Sequence, residues 1–151
     1  MKLLPRHKTE GPSKLGLVLK YPAEPTYAHR HADLVVEASA LITGATLDYS
    51  PGSLAAVDEI LEGFRSDGLA VDQMAETLFT FGCYVGEVLV LNARGTWRAS
   101  AKTPMASFTG SPMVVQLGPE EYANPIDKVF ESFEDGPGDS LANFYQVVTS
   151  S

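Results

Sequence analysis

The sequence predicts an α+β domain in which a central buried helix and its flanking helices pack on a small antiparallel sheet. Residues 71–92 carry apolar side chains along two lines at helical spacing, which indicates a helix with packing partners on two sides. Helical periodicity dominates the first half of the chain, strand-like segments follow, and helical segments return at the end. This order of elements favours α+β architecture over alternating α/β.

Two helices are predicted before the central one. The first begins near residues 29–33 and runs to about residue 47. Its side chains at helical spacing, the pattern of a core-facing stripe, are Leu34, Ala38, Leu41, Ile42 and Ala45. The second helix follows Ser50 and Pro51, a capping residue and a proline suited to the first helical position, and it ends at residues 66–68.

The central helix contains two glycines and one carboxylate among apolar neighbours. Glycine costs a helix about 1 kcal/mol relative to alanine, so Gly82 and Gly86, four residues apart, predict close packing against another element. Acidic side chains are rarely buried without a partner. We therefore expect Glu87 to pair with Arg94, Arg98 or a backbone group, and to fix the helix against the sheet.

The remaining elements follow from turn and capping signals. The central helix is predicted to end with Gly95 at the C-terminal glycine position. Strands are predicted at residues 96–101 and 113–117, with a connecting loop between them. Asn124 and Pro125 open a further helix, and Asp139 is predicted to cap the last one.

Composition separates a basic arm from an acidic domain. Residues 1–28 form a basic, proline-rich N-terminal arm with one possible strand at residues 15–20, and residues 29–148 form a single domain. The net charge of −8 divides into +4 for residues 1–30 and −12 for residues 31–151. An acidic body repels a phosphate backbone, so nucleic acid is not an expected partner. No apolar run approaches the roughly 18 residues of a membrane span, and no secretory apolar region precedes Pro5, so we expect a cytoplasmic protein without a membrane partner.

Common catalytic and cofactor motifs are absent from the sequence. It contains no phosphate-binding glycine loop and no Gly-x-Ser-x-Gly elbow, and no cofactor is expected. His29, His31 and Asp33 form a polar cluster, but its spacing differs from the zinc-binding pattern of two histidines four residues apart. Cys83 is the only cysteine, which excludes an intrachain disulfide, and its apolar surroundings are typical of an inert core thiol.

One group of residues is a candidate binding surface. Arg94, Trp97, Arg98 and Lys102, which we call the basic–aromatic patch, place three cations around a tryptophan on an otherwise acidic body. Such a patch suits an anionic group or an acidic partner, and aromatic and arginine residues dominate binding hot spots. The alternative is that Trp97 anchors the core and the cations neutralise nearby carboxylates.

Several motifs resemble an uncharacterised group of small bacterial proteins. Residues 82–89, Gly-Cys-Tyr-Val-Gly-Glu-Val-Leu, precede Asn92-x-Arg-Gly-x-Trp97, and the group has a Gly-x-Tyr-x-Gly-Glu-Val-Leu helix followed by a tryptophan strand. The segments at residues 124–130 and 139–145 are similar as well, so the resemblance covers roughly residues 30–148. It implies an α+β fold and a bacterial origin, and it implies no particular activity.

These observations favour a non-catalytic cytoplasmic protein-binding module, immunity-, adaptor- or chaperone-like, whose partner is another protein. A homodimer formed through the apolar helices is a further alternative. A different class of function is a small enzyme or ligand-binding domain that uses Glu87 with Tyr84 and Arg98. An open pocket of roughly 300 Å³ or more beside Glu87 would favour this second class, whereas a sealed and paired Glu87 would favour the binding module.

Overall fold

The computed structural model describes residues 19–150, which form five α-helices and one three-stranded antiparallel sheet. The helices are α1 (Ala28–Ile42), α2 (Leu54–Ser66), α3 (Val71–Ala93), α4 (Pro125–Asp135) and α5 (Leu141–Thr149). The strands are β1 (Thr96–Ala99), β2 (Met113–Gly118) and β3 (Glu121–Ala123), in the order β1-β2-β3. The predicted α+β fold is confirmed.

Helix α3 is the centre of the core. Every residue from Phe81 to Leu89 is buried, and the helix packs chiefly against α4 and α1, with the sheet beside it. The two glycines make this packing possible. A Cβ atom on Gly82 would lie 2.6 Å from the Cα atom of Ile126 in α4, and one on Gly86 would overlap the ring of Trp97 in β1. The prediction of close approach at both glycines is confirmed.

Within residues 19–150, α3 is also the one helix long and apolar enough to cross a membrane by length and composition alone. Its most apolar window has a mean hydropathy of 1.4, and 67% of that window is buried inside the domain. A core helix of a globular domain meets the same criterion, so this is weak evidence for a membrane span.

The sheet has one strand more than the sequence predicts, and its first strand is shorter than predicted. Trp97 pairs with Val115, and Val115 pairs with Ala123 across the next ladder. The first strand ends at Ala99 instead of reaching residue 101, because residues Ser100–Lys102 turn into a 3-10 helix. The third strand, Glu121–Ala123, was not predicted, since three residues are too few to show alternation.

Two predicted helix caps are present, and three other predicted helix ends differ from the structure. The side chains of Ser50 and Asn124 accept backbone N–H groups as predicted. Helix α1 ends at Ile42, five residues early, where Gly44 turns the chain with φ +76°. The cap of α5 is Ser140 instead of Asp139, which pairs with Lys128. The left-handed residue after α3 is Arg94 (φ +62°) instead of Gly95.

The arm lies mostly outside the residues described. Of the possible strand at residues 15–20, only Leu19 and Lys20 are described, and neither is in a strand. Leu19 is buried in the core, and a single 3-10 turn at Pro25–Tyr27 leads from there into α1.

Candidate functional site

Glu87 joins three elements through both oxygens of its carboxylate. It is 6% exposed on α3. His29 Nδ1, on α1, donates to Oε1 at 2.8 Å, and Trp97 Nε1, on β1, donates to Oε2 at 2.9 Å. The partners are therefore not those predicted from the sequence, which were Arg94, Arg98 or a backbone group. The predicted geometry, a sealed and paired carboxylate that ties the helix to the sheet, is what the structure contains.

A layer of aromatic and hydroxyl groups lies beside this carboxylate. Tyr49, in the left-handed region at φ +66°, stacks between His29 and Tyr84 with ring centroids 5.4 and 4.8 Å away. Its hydroxyl donates to Asp33 at 2.6 Å, and its backbone N–H donates to the Tyr84 hydroxyl at 2.8 Å. The Tyr84 hydroxyl also meets the Ser53 hydroxyl at 2.6 Å. Burial raises the pKa of both phenols, so each remains neutral and serves as a hydrogen-bonding group.

The three residues of the enzyme alternative do not all lie together. Glu87 and Tyr84 belong to the same layer, but Arg98 donates to Gln116 at 2.6 Å across the sheet. Neighbouring residues of a strand point to opposite faces, and Trp97 already occupies the face toward Glu87. Neither of the two cavities that we describe below is lined by Glu87, Tyr84 or Arg98.

The four residues of the basic–aromatic patch are placed in different environments. The Trp97 indole is half-buried against α3, and the Arg98 guanidinium is half-buried at Gln116. Arg94 and Lys102 are exposed, but Lys102 has left the strand for the 3-10 helix at Ser100–Lys102. Two of the four side chains are thus engaged within the domain, and two remain on the surface.

The two histidines and the cysteine do not share a site. The His29 imidazole is 54% exposed and lies between Glu87 and Asp33, whereas His31 is fully buried and donates through Nε2 to the Pro22 carbonyl at 2.9 Å. Burial, with the nearby Glu87 charge, raises the pKa of the Cys83 thiol well above its ordinary value. A thiol in that environment is a poor nucleophile. Among residues 19–150, no group of three or more histidine, cysteine or acidic side chains is placed to hold a metal.

Helix α1 has two apolar faces, and only one of them is buried. The buried face consists of Ala28, His31, Ala32, Val35 and Ser39. The stripe identified in the sequence lies about 90° around the helix, by the 100° turn per residue. Within that stripe Leu41 is 87% exposed and Ile42 is 79% exposed, so the expectation that it faces the core is wrong for the last turn of α1.

This exposed stripe borders an apolar groove between α1, α2 and α3, which we call the α1 groove. The groove encloses about 460 Å³. Its apolar lining includes Leu19, Leu34, Ile42, Ile60, Phe64 and Phe81. A second depression of about 410 Å³ continues beyond Ile42 and Ile60, where Glu59 and Asp67 line it.

Sequence patterns did not reveal the α1 groove. Helical spacing shows that a stripe is apolar, but the position of α2 relative to α1 decides whether anything covers it. The one available signal was the breadth of apolar positions on α1, which occupy more of the helix circumference than a single packing face requires.

We compared the chain with family models, with curated proteins and with solved structures, and found no match in any of the three comparisons. The resemblance to the group of small bacterial proteins therefore stays a prediction from the motifs.

Proposed function

We propose that this protein is a non-catalytic protein-binding module and that the α1 groove is its binding surface. The observation that carries the proposal is Ile42, a large apolar side chain 79% exposed at the junction of two apolar depressions. An exposed apolar area beside a groove is typical of interaction sites. An immunity-, adaptor- or chaperone-like role is consistent with such a surface.

The shape of this surface favours a protein over a small molecule. A small ligand inside the groove would contact lining residues such as Ile42 and Ile60, but Leu41, which is 87% exposed and does not line the groove, would stay in contact with water. A helix or extended segment laid along the groove covers the floor and the exposed rim together. Covering both yields more apolar burial, which is the main driving term for association.

Charge defines the partner further. Residues 19–150 contain seven basic and eighteen acidic residues, a net charge of −11. Glu59 and Asp67 line the second depression, and Lys20 is the one basic residue among the described residues that line the two. Complementary potential speeds association and selects partners. We therefore expect a partner segment that carries apolar side chains flanked by lysine or arginine.

A photo-crosslinking amino acid at position 42 tests the proposal directly. In the native host, we expect a discrete adduct between this position and one protein, identified by mass spectrometry. The matched control is position 108, because Phe108 is 78% exposed but lines neither depression. Adducts of equal yield and composition at both positions would contradict a specific surface.

The captured protein is then purified and titrated against two charge variants. Ile42→Glu should raise its Kd about tenfold or more, since a buried hot-spot contact is worth about 1.4 kcal/mol or more, whereas Phe108→Glu should leave Kd unchanged. An adduct at twice the chain mass would instead assign the groove to a homodimer and overturn the proposal.

A further inference from the structure

His29 and Asp33 form an exposed pair of polar side chains on one face of α1. They are four residues apart, a spacing that places two side chains next to each other on a helix surface. His29 Nε2 lies 3.4 Å from Asp33 Oδ2, and the two side chains are 54% and 47% exposed. Neither residue lines the α1 groove or the second depression. The pair is therefore separate from the proposed binding surface.

Glu87 determines which nitrogen of His29 carries the proton. His29 Nδ1 lies 2.8 Å from Oε1 of the Glu87 carboxylate, and a carboxylate accepts hydrogen bonds but does not donate them. Nδ1 is therefore protonated, and in the neutral imidazole Nε2 then has a lone pair. An imidazole that binds a metal through one nitrogen commonly donates its other N–H to a carboxylate in this way.

The Asp33 carboxylate is held in place as well. The Tyr49 hydroxyl donates to Asp33 Oδ1 at 2.6 Å, and the Tyr49 ring stacks on the His29 imidazole with centroids 5.4 Å apart. Oδ1 is thus engaged by a donor, and Oδ2 is the oxygen that lies near Nε2. Both side chains of the pair are fixed by groups outside it, as in a site whose ligands are oriented before the ion binds.

The separation between His29 Nε2 and Asp33 Oδ2 fits a shared cation better than a hydrogen bond. Hydrogen bonds from a charged N–H group to a carboxylate usually measure about 2.7–2.9 Å, which is shorter than the 3.4 Å found here. Two ligand atoms that are each about 2.1 Å from a tetrahedral zinc ion lie about 3.4 Å from each other. A cation between the two atoms would also remove the repulsion between the Nε2 lone pair and the negative carboxylate.

We propose that His29 Nε2 and Asp33 Oδ2 bind a divalent transition-metal ion such as zinc, with water at the remaining coordination positions. Imidazole and carboxylate groups are both zinc ligands. Two protein ligands suffice for this exposed site, which therefore does not need the group of three or more that residues 19–150 lack. The inference does not rest on the proposed function, because it uses no residue of the α1 groove.

Histidine ring NMR on the full purified chain tests the premise before any metal is added. Long-range proton–nitrogen spectra near neutral pH should show His29 as the neutral tautomer with its proton on Nδ1. The variant His29→Asn identifies the His29 signals among those of the three histidines of the chain. An imidazolium spectrum, or a proton on Nε2 alone, would overturn the proposal, because Nε2 would then have no lone pair for a metal.

Titration with zinc chloride then tests the binding itself. Calorimetry should give one zinc ion per chain, and zinc should shift the Nε2 signal of His29. His29→Asn retains a side-chain N–H donor for Glu87 but lacks Nε2, so it should abolish this binding. Asp33→Asn retains an oxygen for the Tyr49 hydroxyl but loses the negative charge, so it should raise the Kd for zinc about tenfold or more.

The matched control is Asp72→Asn, which removes the same charge from an exposed position in the first turn of α3 and should leave the Kd unchanged. Equal weakening in Asp33→Asn and Asp72→Asn, or undiminished binding in His29→Asn, would assign the zinc to the acidic surface in general and overturn the proposal. Excess magnesium should not displace the zinc, because magnesium prefers oxygen ligands. Displacement by magnesium would overturn the proposal as well.

Discussion

The Trp97 ring lies directly against the backbone of Gly86, so closely that a Cβ atom at Gly86 would overlap ring atoms Cζ2 and Cη2. This contact positions the indole N–H toward Glu87, the next residue of α3, at 2.9 Å from Oε2. Because Gly86 has no side chain, the Trp97 indole fits against the helix there and can donate to the Glu87 carboxylate. Sheet and central helix are joined at this point.

Replacement of Gly86 by alanine should destabilise the protein, although glycine to alanine within a helix ordinarily gains up to about 1 kcal/mol. The added methyl group forces the Trp97 ring away and disturbs its bond to Glu87, and overpacking of this kind costs about 1–3 kcal/mol. Urea denaturation gives the free energy of unfolding of the variant and of the unchanged chain.

The control is Gly63→Ala in α2, where a Cβ atom would meet no other atom within 4 Å. That variant should be as stable as the unchanged chain or more stable, so the two substitutions should differ in sign. A stable Gly86→Ala variant would show that the ring does not press on α3.

Local signals predicted the helices and most of their caps, because residues close in sequence determine them. Ser50 and Asn124 accept N–H groups three residues ahead, and the two apolar lines of α3 mark a helix packed on two sides. The α1 stripe failed because its burial depends on where α2 lies. An apolar stripe has the same pattern in the sequence whether or not a neighbouring helix covers it.

The candidate site could be predicted only in part, because its contacts are long-range. The burial and pairing of Glu87 followed from one acid among apolar residues, but its partner His29 is 58 positions away. The Tyr49 N–H that meets Tyr84 lies 35 positions away from it. Spacing in a single sequence carries no information on pairs so distant.

The bond between Trp97 and Glu87 should be measurable as a coupling energy. Trp97→Phe leaves the Glu87 oxygen without its donor, and an unsatisfied buried acceptor costs about 1–3 kcal/mol. The same substitution in a Glu87→Leu background removes no such bond. We therefore expect a double-mutant cycle on the free energies of unfolding to yield a coupling of about 1 kcal/mol or more. Additive losses would show that the bond contributes nothing.

Buried His31 should make the protein sensitive to acid. Its Nε2–H bonds to the Pro22 carbonyl, and burial lowers its pKa below the ordinary 6.5. Just below pH 6.5 the unfolded chain therefore binds a proton at His31 more readily than the folded chain does. This contribution to stability is complete above pH 6.5 and is lost as the pH falls below that value.

The variant His31→Gln keeps a donor for Pro22 but cannot titrate. Thermal unfolding followed from about pH 7 to about pH 5 should therefore show a smaller loss of stability in this variant than in the unchanged chain. Equal pH dependence of the two proteins would contradict a buried neutral His31.

Asp58 should hold the start of the last helix. Its carboxylate on α2 accepts the N–H groups of Leu141 at 2.8 Å and Ala142 at 3.3 Å, where α5 begins. Loss of such a cap costs about 0.5–2 kcal/mol. In Asp58→Ala we expect faster hydrogen exchange at the α5 amides, with Asp72→Ala, an exposed acid in the first turn of α3, as the control. Protection of α5 that equals the control would mean that Ser140 alone caps the helix.

Arg94 provides a test that separates the basic–aromatic patch from the α1 groove. It is the exposed C-cap of α3 at φ +62°, a conformation that costs a residue with a Cβ atom about 1–2 kcal/mol and costs glycine little. Arg94→Gly should therefore raise the thermal midpoint, whereas Arg94→Ala retains the Cβ atom and should not.

Both variants remove the same cation from the basic–aromatic patch. If the α1 groove binds the partner, both should bind the protein captured at position 42 with unchanged Kd. If the patch binds it, both should bind more weakly to the same degree, although only Arg94→Gly raises the thermal midpoint.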